Sequence, residues 1–323
     1  MPIPVIADVD TGVDDALALL FLATHPGIDL RAVTCVAGNA SLERVTQNTL
    51  DVLAAAECNA PVAAGVERPL IEPARDAGSY HGVGGIGNLK LPRSPRSADT
   101  LHAVELLRRE IEASAEPVTL VSLAPMTNIA LFLRLHPRTA AAIGRIVVMG
   151  GSASGGNASA VAEFNVWHDP EAAQIVLSSD IPTTLYPLDV FNRVAVTEQQ
   201  ISELRDAASP RARLAAALLD YQQTLGDLPA DIASGAKLGD AGTACFLVAP
   251  ELFGIETVPV EVELASGFTR GQTVVDRRRR AGEAEEHNLA TPVSRSDVAL
   301  TVDGKAVAEL YLDTLLGRAA RRQ

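Results

Sequence analysis

Cysteine is scarce in this chain: Cys35, Cys58 and Cys245 are odd in number and far apart. That pattern excludes a disulfide framework and a thiolate metal site. Basic charge is also short, with 27 Lys and Arg against 40 Asp and Glu and a formal net charge of −13. Nucleic acid and anionic membranes would repel such a surface, so neither is an expected partner. The run Arg277 to Arg280 is a local exception, expected in a solvated loop. No apolar run approaches a membrane span, and the N-terminus has no basic segment leading into a long apolar core. A soluble, cytoplasmic protein is expected. Neither repeats nor a linker divides the 323 residues, which points to one α/β domain over 1–323.

What the chain does have is an acid-rich beginning. Ile3, Val5, Ile6 and Ala7 signal a short buried strand, and Asp14, Asp15 and the run from Ala16 to Ala23 signal a helix. Between them Asp8, Asp10, Asp14 and Asp15 place four carboxylates in eight positions, costly unless a cation sits among them. Asp10 falls at the carboxyl end of the strand. Asp14 and Asp15 fall in the first helical turn, where the helix dipole favours negative charge. Consecutive helical residues point about 100° apart, so these two cannot do the same work. A calcium loop of the helix-loop-helix kind is excluded, because its fifth, sixth and twelfth places, counted from Asp8, hold Gly12, Val13 and Leu19. Asp8-Val9-Asp10-Thr11 fits better an alternative class, phosphatases with an aspartate nucleophile.

Further strands are expected at Leu30 to Ala37, Pro61 to Gly65, Pro117 to Leu123, Arg145 to Met149 and Thr183 to Pro187. Late strands are expected at Val258 to Leu264 and Thr273 to Asp276, and a closing helix at Val302 to Leu316. Strands alternating with helices argue for an open, mostly parallel central sheet with helices on both faces, Rossmann-like in architecture. Ligands of such sheets collect beyond the carboxyl ends of the strands. Asp10, Asn39, Leu123 and Gly150 all fall there. Gly82, Gly84 and Gly87 match a dinucleotide fingerprint, but no buried strand precedes them; His81, just before, is the better candidate. The glycines after Met149 lack the Lys and Ser/Thr of a phosphate loop. Asp169 reads as a helix N-cap with Pro170 as first helical residue.

Together these residues resemble the inosine-uridine-preferring nucleoside hydrolase family over essentially the full length. The resemblance rests on Asp8 to Ala16, Gly38-Asn39, His81-Gly82, Pro125-Met126-Thr127-Asn128-Ile129-Ala130, Val147 to Gly151, Asn157, Glu163-Phe164-Asn165 and Arg270 to Asp276. It implies a calcium ion held by Asp10, Asp15, Asp240 and the backbone carbonyl of Leu123. It implies a ribose bound by Asp14, Asn39, Asn157, Glu163 and Asn165, with Met149 and Phe164 also in the substrate site, and water activated by Asp14 as general base. The N-glycosidic bond of a ribonucleoside would be cleaved to free base and ribose. A homodimer or homotetramer is implied as well. Many members carry a His immediately before the aspartate matching Asp240, where it helps protonate the leaving base; this chain has Gly239. His81 and Tyr221 are the candidate substitutes for that base-side contact, and a His restored at 239 is expected to improve inosine cleavage selectively, leaving p-nitrophenyl riboside nearly unchanged. A riboside-binding protein with little turnover is the non-enzymatic alternative.

Overall fold

The computed structural model describes residues 1–225, 235–280, 282, 286–287 and 294–318. Its centre is a nine-stranded sheet. In chain order its strands are β1 (Ile3–Val9), β2 (Ile28–Cys35), β3 (Val62–Ala64), β4 (Val118–Ser122), β5 (Ile143–Met149) and β6 (Thr183–Tyr186). A separate two-stranded pair is β7 (Ala195–Val196) and β8 (Ala236–Lys237), and the main sheet is completed by β9 (Phe253–Val262), β10 (Thr273–Val275) and β11 (Arg295–Val302). The order across the sheet is β10-β9-β11-β6-β5-β4-β1-β2-β3. Strands from β11 to β3 run parallel; β9 and β10 join antiparallel at one edge.

Alternation along the strands divides the apolar residues between two cores. Val5, Ala7 and Val9 face one, with Val121, Val147 and Met149, while Ile6, Leu120, Ile146 and Val148 face the other. A sheet covered on both faces must read as continuous apolar strands, as β1, β4 and β5 do. The helix Val13–Leu22 is buried at all ten positions, so it packs on neighbours all round instead of presenting one wet face. Each fully buried Leu or Phe in it contributes about 1.5–3 kcal/mol of transfer free energy. That anchoring matters for the site, because this helix carries Asp14 and Asp15 in its first turn.

The chain leaves β1 toward β2 and β3, then returns to build β4, β5 and β6 on the other side. β1 and β4 therefore form the switch point, where connections diverge and leave a crevice beyond the strand ends. Asp10 follows β1 and Leu123 follows β4. The parallel architecture expected from sequence is present, but the C-terminal reading needs correction. Arg295–Val302 is strand β11, inserted between β9 and β6, and the last helix is Gly304–Leu315. Its polar flanks hid the strand; the helix start is set by Asp303, whose side chain accepts the Ala306 N–H. Asp169 does cap its helix, accepting from Ala172 N–H with Pro170 next. Arg277 and Arg278 are exposed and pair with Glu256 and Asp276.

Candidate active site

The first turn after β1 folds around its own acids. Asp15 accepts the Asp10 N–H at one oxygen (3.2 Å), and at the other the Gly12 N–H (2.9 Å) and the Asn39 side-chain amide (3.0 Å). Asp10 accepts the Asn39 N–H at Oδ2 (2.7 Å), while its buried Oδ1 has no hydrogen-bond partner among the described residues. The buried Oδ1 of Asp14 likewise has none among them. Asp240 enters from the first turn of the helix Asp240–Phe246, and ligand atoms of Asp14, Asp15 and Asp240 lie within 4.8 Å of one another. Asp10 stands beside this trio: the Asp15 charge acts on it, and its own charge acts on Asp240.

Such crowding is visible in the protonation of the acids. Burial raises the Asp15 carboxyl to about 7, and the Asp14 charge adds to it. Asp10 is pushed well above the carboxylate range by burial first, then by Asp15. For Asp240 burial again leads, followed by Asp14, Asp15, Asp10 and Glu163. Desolvation and like charge act in the same direction here, which is the condition a bound cation relieves. The unpartnered oxygens of Asp10 and Asp14 and an all-oxygen donor set suit a hard divalent ion.

Around the acids lie the residues expected at the sugar. Asn39 is buried and spends its amide on Asp15 and its N–H on Asp10. The Leu123 N–H donates to the Asp8 carbonyl (2.8 Å), and the Leu123 carbonyl accepts from the Asn165 side-chain amide (3.0 Å). A carbonyl has two lone pairs, so Leu123 keeps one for another ligand. The same Asn165 amide reaches the Met149 carbonyl and sulfur. Glu163 is the N-cap of the short helix Phe164–His168. Its carboxylate accepts N–H groups from Asn165, Val166 and Gly151, and burial outweighs them to raise it to about 7. Asn157 is exposed and accepts the Phe164 N–H. Phe164 packs against Trp167 and His168, whose own roles are packing: Arg75 lies 4.4 Å over the Trp167 ring and its carbonyl bonds His168.

His81 reaches the acids, and it is also committed. Its Nδ1 accepts the Val13 N–H (3.1 Å) and lies 3.8 Å from Asp14 Oδ1. That hydrogen bond leaves the ring proton on Nε2. Burial lowers its pKa, against the pull of Asp14, so a neutral imidazole satisfies one free N–H of the helix terminus. Tyr221 donates its hydroxyl to the Tyr80 carbonyl (3.2 Å). Tyr80 escaped the sequence reading; an aromatic just before a candidate His was the available signal.

Two sequence expectations change. Asp8 cannot be an exposed nucleophile: it is 2% exposed, and its Oδ1 accepts from Thr34 (2.5 Å) and the Asn128 amide (2.8 Å). Burial raises it to about 7. Its work is to tie strand ends together with Asn128, which also donates to the Cys35 carbonyl and accepts the Val66 N–H. Gly239 sits at φ +57°, and a Cβ there would lie 2.6 Å from Asp14 Cβ and 2.8 Å from its Oδ2. A histidine does not fit this backbone as it stands.

The family model for inosine-uridine preferring nucleoside hydrolase matches residues 5–308. The chain belongs to this family. It is 39% identical over 320 residues to the pyrimidine-specific ribonucleoside hydrolase RihA of Shewanella oneidensis, covering 98% of this chain and 100% of that one. It is 40% identical over 275 residues to the enzyme of the same name from Photobacterium profundum, covering 85% and 89%. Among solved structures it is similar to a plant nucleoside hydrolase (TM-score 0.89, 28% identity, 98% and 99% covered). The purine-preferring ribonucleoside hydrolase from Gardnerella vaginalis is similar too (0.87, 29%, 98% and 99%). The chain is thus a ribonucleoside hydrolase, and the acids beyond β1 lie where this fold gathers ligands. No helix among the described residues is long and apolar enough to cross a membrane.

Proposed function

We propose that this enzyme is calcium-dependent, with Asp10, Asp15, Asp240 and the Leu123 carbonyl as metal ligands and Asp14 as the general base. The observation that carries the reading is the buried acid cluster with unpartnered oxygens on Asp10 and Asp14. A bound calcium ion supplies positive charge that acidifies a neighbouring water and orients the ribose diol. Asp15 is held by two backbone N–H groups and an amide, which suits a fixed ligand. Asp14 accepts no hydrogen bond among the described residues, which leaves it open to take a proton from the attacking water. Asn39, Asn157, Glu163 and Asn165 supply the mixed donors and acceptors a diol needs, with Met149 and Phe164 beside the sugar. Charge develops at C1′ as the bond to the base lengthens, and the acids around it favour that positive charge.

The relatives at 38–40% identity are named pyrimidine-specific, which supports uridine and cytidine as the first substrates to try. A cytoplasmic homodimer or homotetramer completes the reading. Incubation with uridine, cytidine and inosine, with and without a chelator, tests it through release of ribose. Calcium must restore the chelated enzyme. Full turnover in metal-free protein sinks calcium dependence, and riboside binding with no turnover favours the sensor alternative.

A further inference from the structure

Cleaving a nucleoside needs help on the base side as well as the sugar side, because electrons from the breaking bond collect on the base. Gly239 supplies no side chain there, and the Nδ1 of His81 is spent on a helix N–H. Tyr80 stands in the next layer out: its ring meets the His81 ring edge-on with centroids 4.8 Å apart, and His81 in turn touches Asp14. Its backbone is fixed from outside, since Tyr221 on the helix Pro210–Gln223 donates to the Tyr80 carbonyl. That contact requires glycine at 87, where a Cβ would lie 2.7 Å from the Tyr221 ring.

The Tyr80 hydroxyl makes no hydrogen bond among the described residues. Of the buried acids, Asp14 and Asp240, the pair flanking Gly239, act on its phenol. We propose that the Tyr80 hydroxyl donates a hydrogen bond to the departing base, filling the part that Gly239 leaves vacant; this rests on the ribonucleoside hydrolase reading above. As the C1′–N bond breaks, its electron pair goes to the base, and the Tyr80 O–H meets the charge at a ring nitrogen or exocyclic oxygen. Water contributes its hydroxyl to C1′ and its proton, through Asp14, to the base. Tyr80 itself keeps its proton throughout, since burial and then the Asp14 and Asp240 charges hold its pKa well above the usual phenol range.

Tyr80→Phe removes the hydroxyl and keeps the ring on His81, and the test compares uridine and inosine with p-nitrophenyl riboside, whose leaving group departs without a proton. The expected result is a loss of about 10²-fold in kcat on the nucleosides, with KM little changed. Turnover of the nitrophenyl substrate should stay within roughly threefold, which also shows the variant to be folded. Tyr221→Phe, which removes the hydrogen bond to the Tyr80 carbonyl, should give a smaller loss with the same substrate pattern. Unchanged nucleoside turnover in Tyr80→Phe overturns the proposal and leaves the hydrolase reading standing. An equal fall on both substrate types also overturns it, because it marks Tyr80 as a packing residue. A wild-type enzyme that cleaves none of the three ribosides overturns the reading itself and the proposal with it.

Discussion

Stripping the metal should make the protein's stability fall as pH rises, and calcium should cancel that fall. Asp15 is fully buried and raised from 3.8 to about 7. Its pKa is higher in the folded than in the unfolded chain, so the stability linked to it is complete below about pH 4 and is lost as pH rises through about 7. A shift of about three units corresponds to on the order of 4 kcal/mol. Burial is the larger cause of that shift, and like charge adds to it: carboxylate oxygens no more than 4.8 Å apart repel by roughly 3 kcal/mol or more at an effective dielectric of 20. With an unfolding entropy of about 2.1 cal/mol/K per residue over 323 residues, 4 kcal/mol is worth roughly 6 °C in Tm. Asp10 and Asp240 are displaced in the same direction and add to it. Thermal melts of chelated and calcium-loaded protein from pH 5 to pH 8 read this directly. The chelated Tm should drop by several degrees across that window, and calcium should widen its lead at the alkaline end. Binding should also release protons, seen as a calorimetric heat that depends on the buffer. A calcium shift of equal size at pH 5 and pH 8, or a chelated Tm that rises with pH, refutes the account of a cluster holding protons where the ion belongs.

Asp14→Asn should lower kcat by about 10²- to 10⁴-fold while calcium remains bound, which metal analysis of the purified variant checks. Asp10→Ala should lose both calcium and turnover, and because Asp10 also accepts the Asn39 N–H, the variant should bind ribose more weakly in a competition assay. Gly239→Ala should abolish most turnover instead of being silent: φ +57° with ψ −127° is backbone that glycine adopts and an L-residue holds only at a cost of roughly 1–3 kcal/mol, and the new Cβ displaces Asp14. Gly239→His should fail for the same reason, and a variant that cleaves inosine faster than wild type would show that this backbone gives way easily. Asn128→Ala should destabilise the fold by roughly 2–4 kcal/mol in denaturant melts, since it strands the Val66 N–H and half the support of buried Asp8.

The parts of the site legible in the sequence were those whose chemistry is concentrated in a few adjacent letters. Four acids in eight positions between a strand pattern and a helix pattern leave few other arrangements, and Asp10, Asp14 and Asp15 fall together as expected. Alternating strand and helix signals likewise led to the parallel sheet and to its carboxyl ends. Contacts made across the fold were harder to read. Nothing in Glu163-Phe164-Asn165 says that the glutamate caps its own helix or that the Asn165 amide bridges the Leu123 and Met149 carbonyls. Strand β11 was missed because its partners, β9 and β6, lie far apart in the chain, and pairing of that kind leaves no local period.

Gly239 shows most clearly where the reading of letters stops. As a letter it is the loss of an acid, and the natural remedy is to put a histidine back. As a backbone it is a tight positive-φ turn that opens the helix carrying Asp240 and presses against the side chain of Asp14. Asp240 and Asp14, the proposed metal ligand and base, are therefore constrained by the same residue that withholds a side chain from the base side. Help for the departing base then comes from another direction, through a hydrogen-bond donor whose approach does not cross Asp14. The Gly78–His81 segment, which lies over the helix terminus and is braced by Tyr221, offers that direction. Leaving-group help and base preference in this enzyme should then vary with residue 80 more than with residue 239.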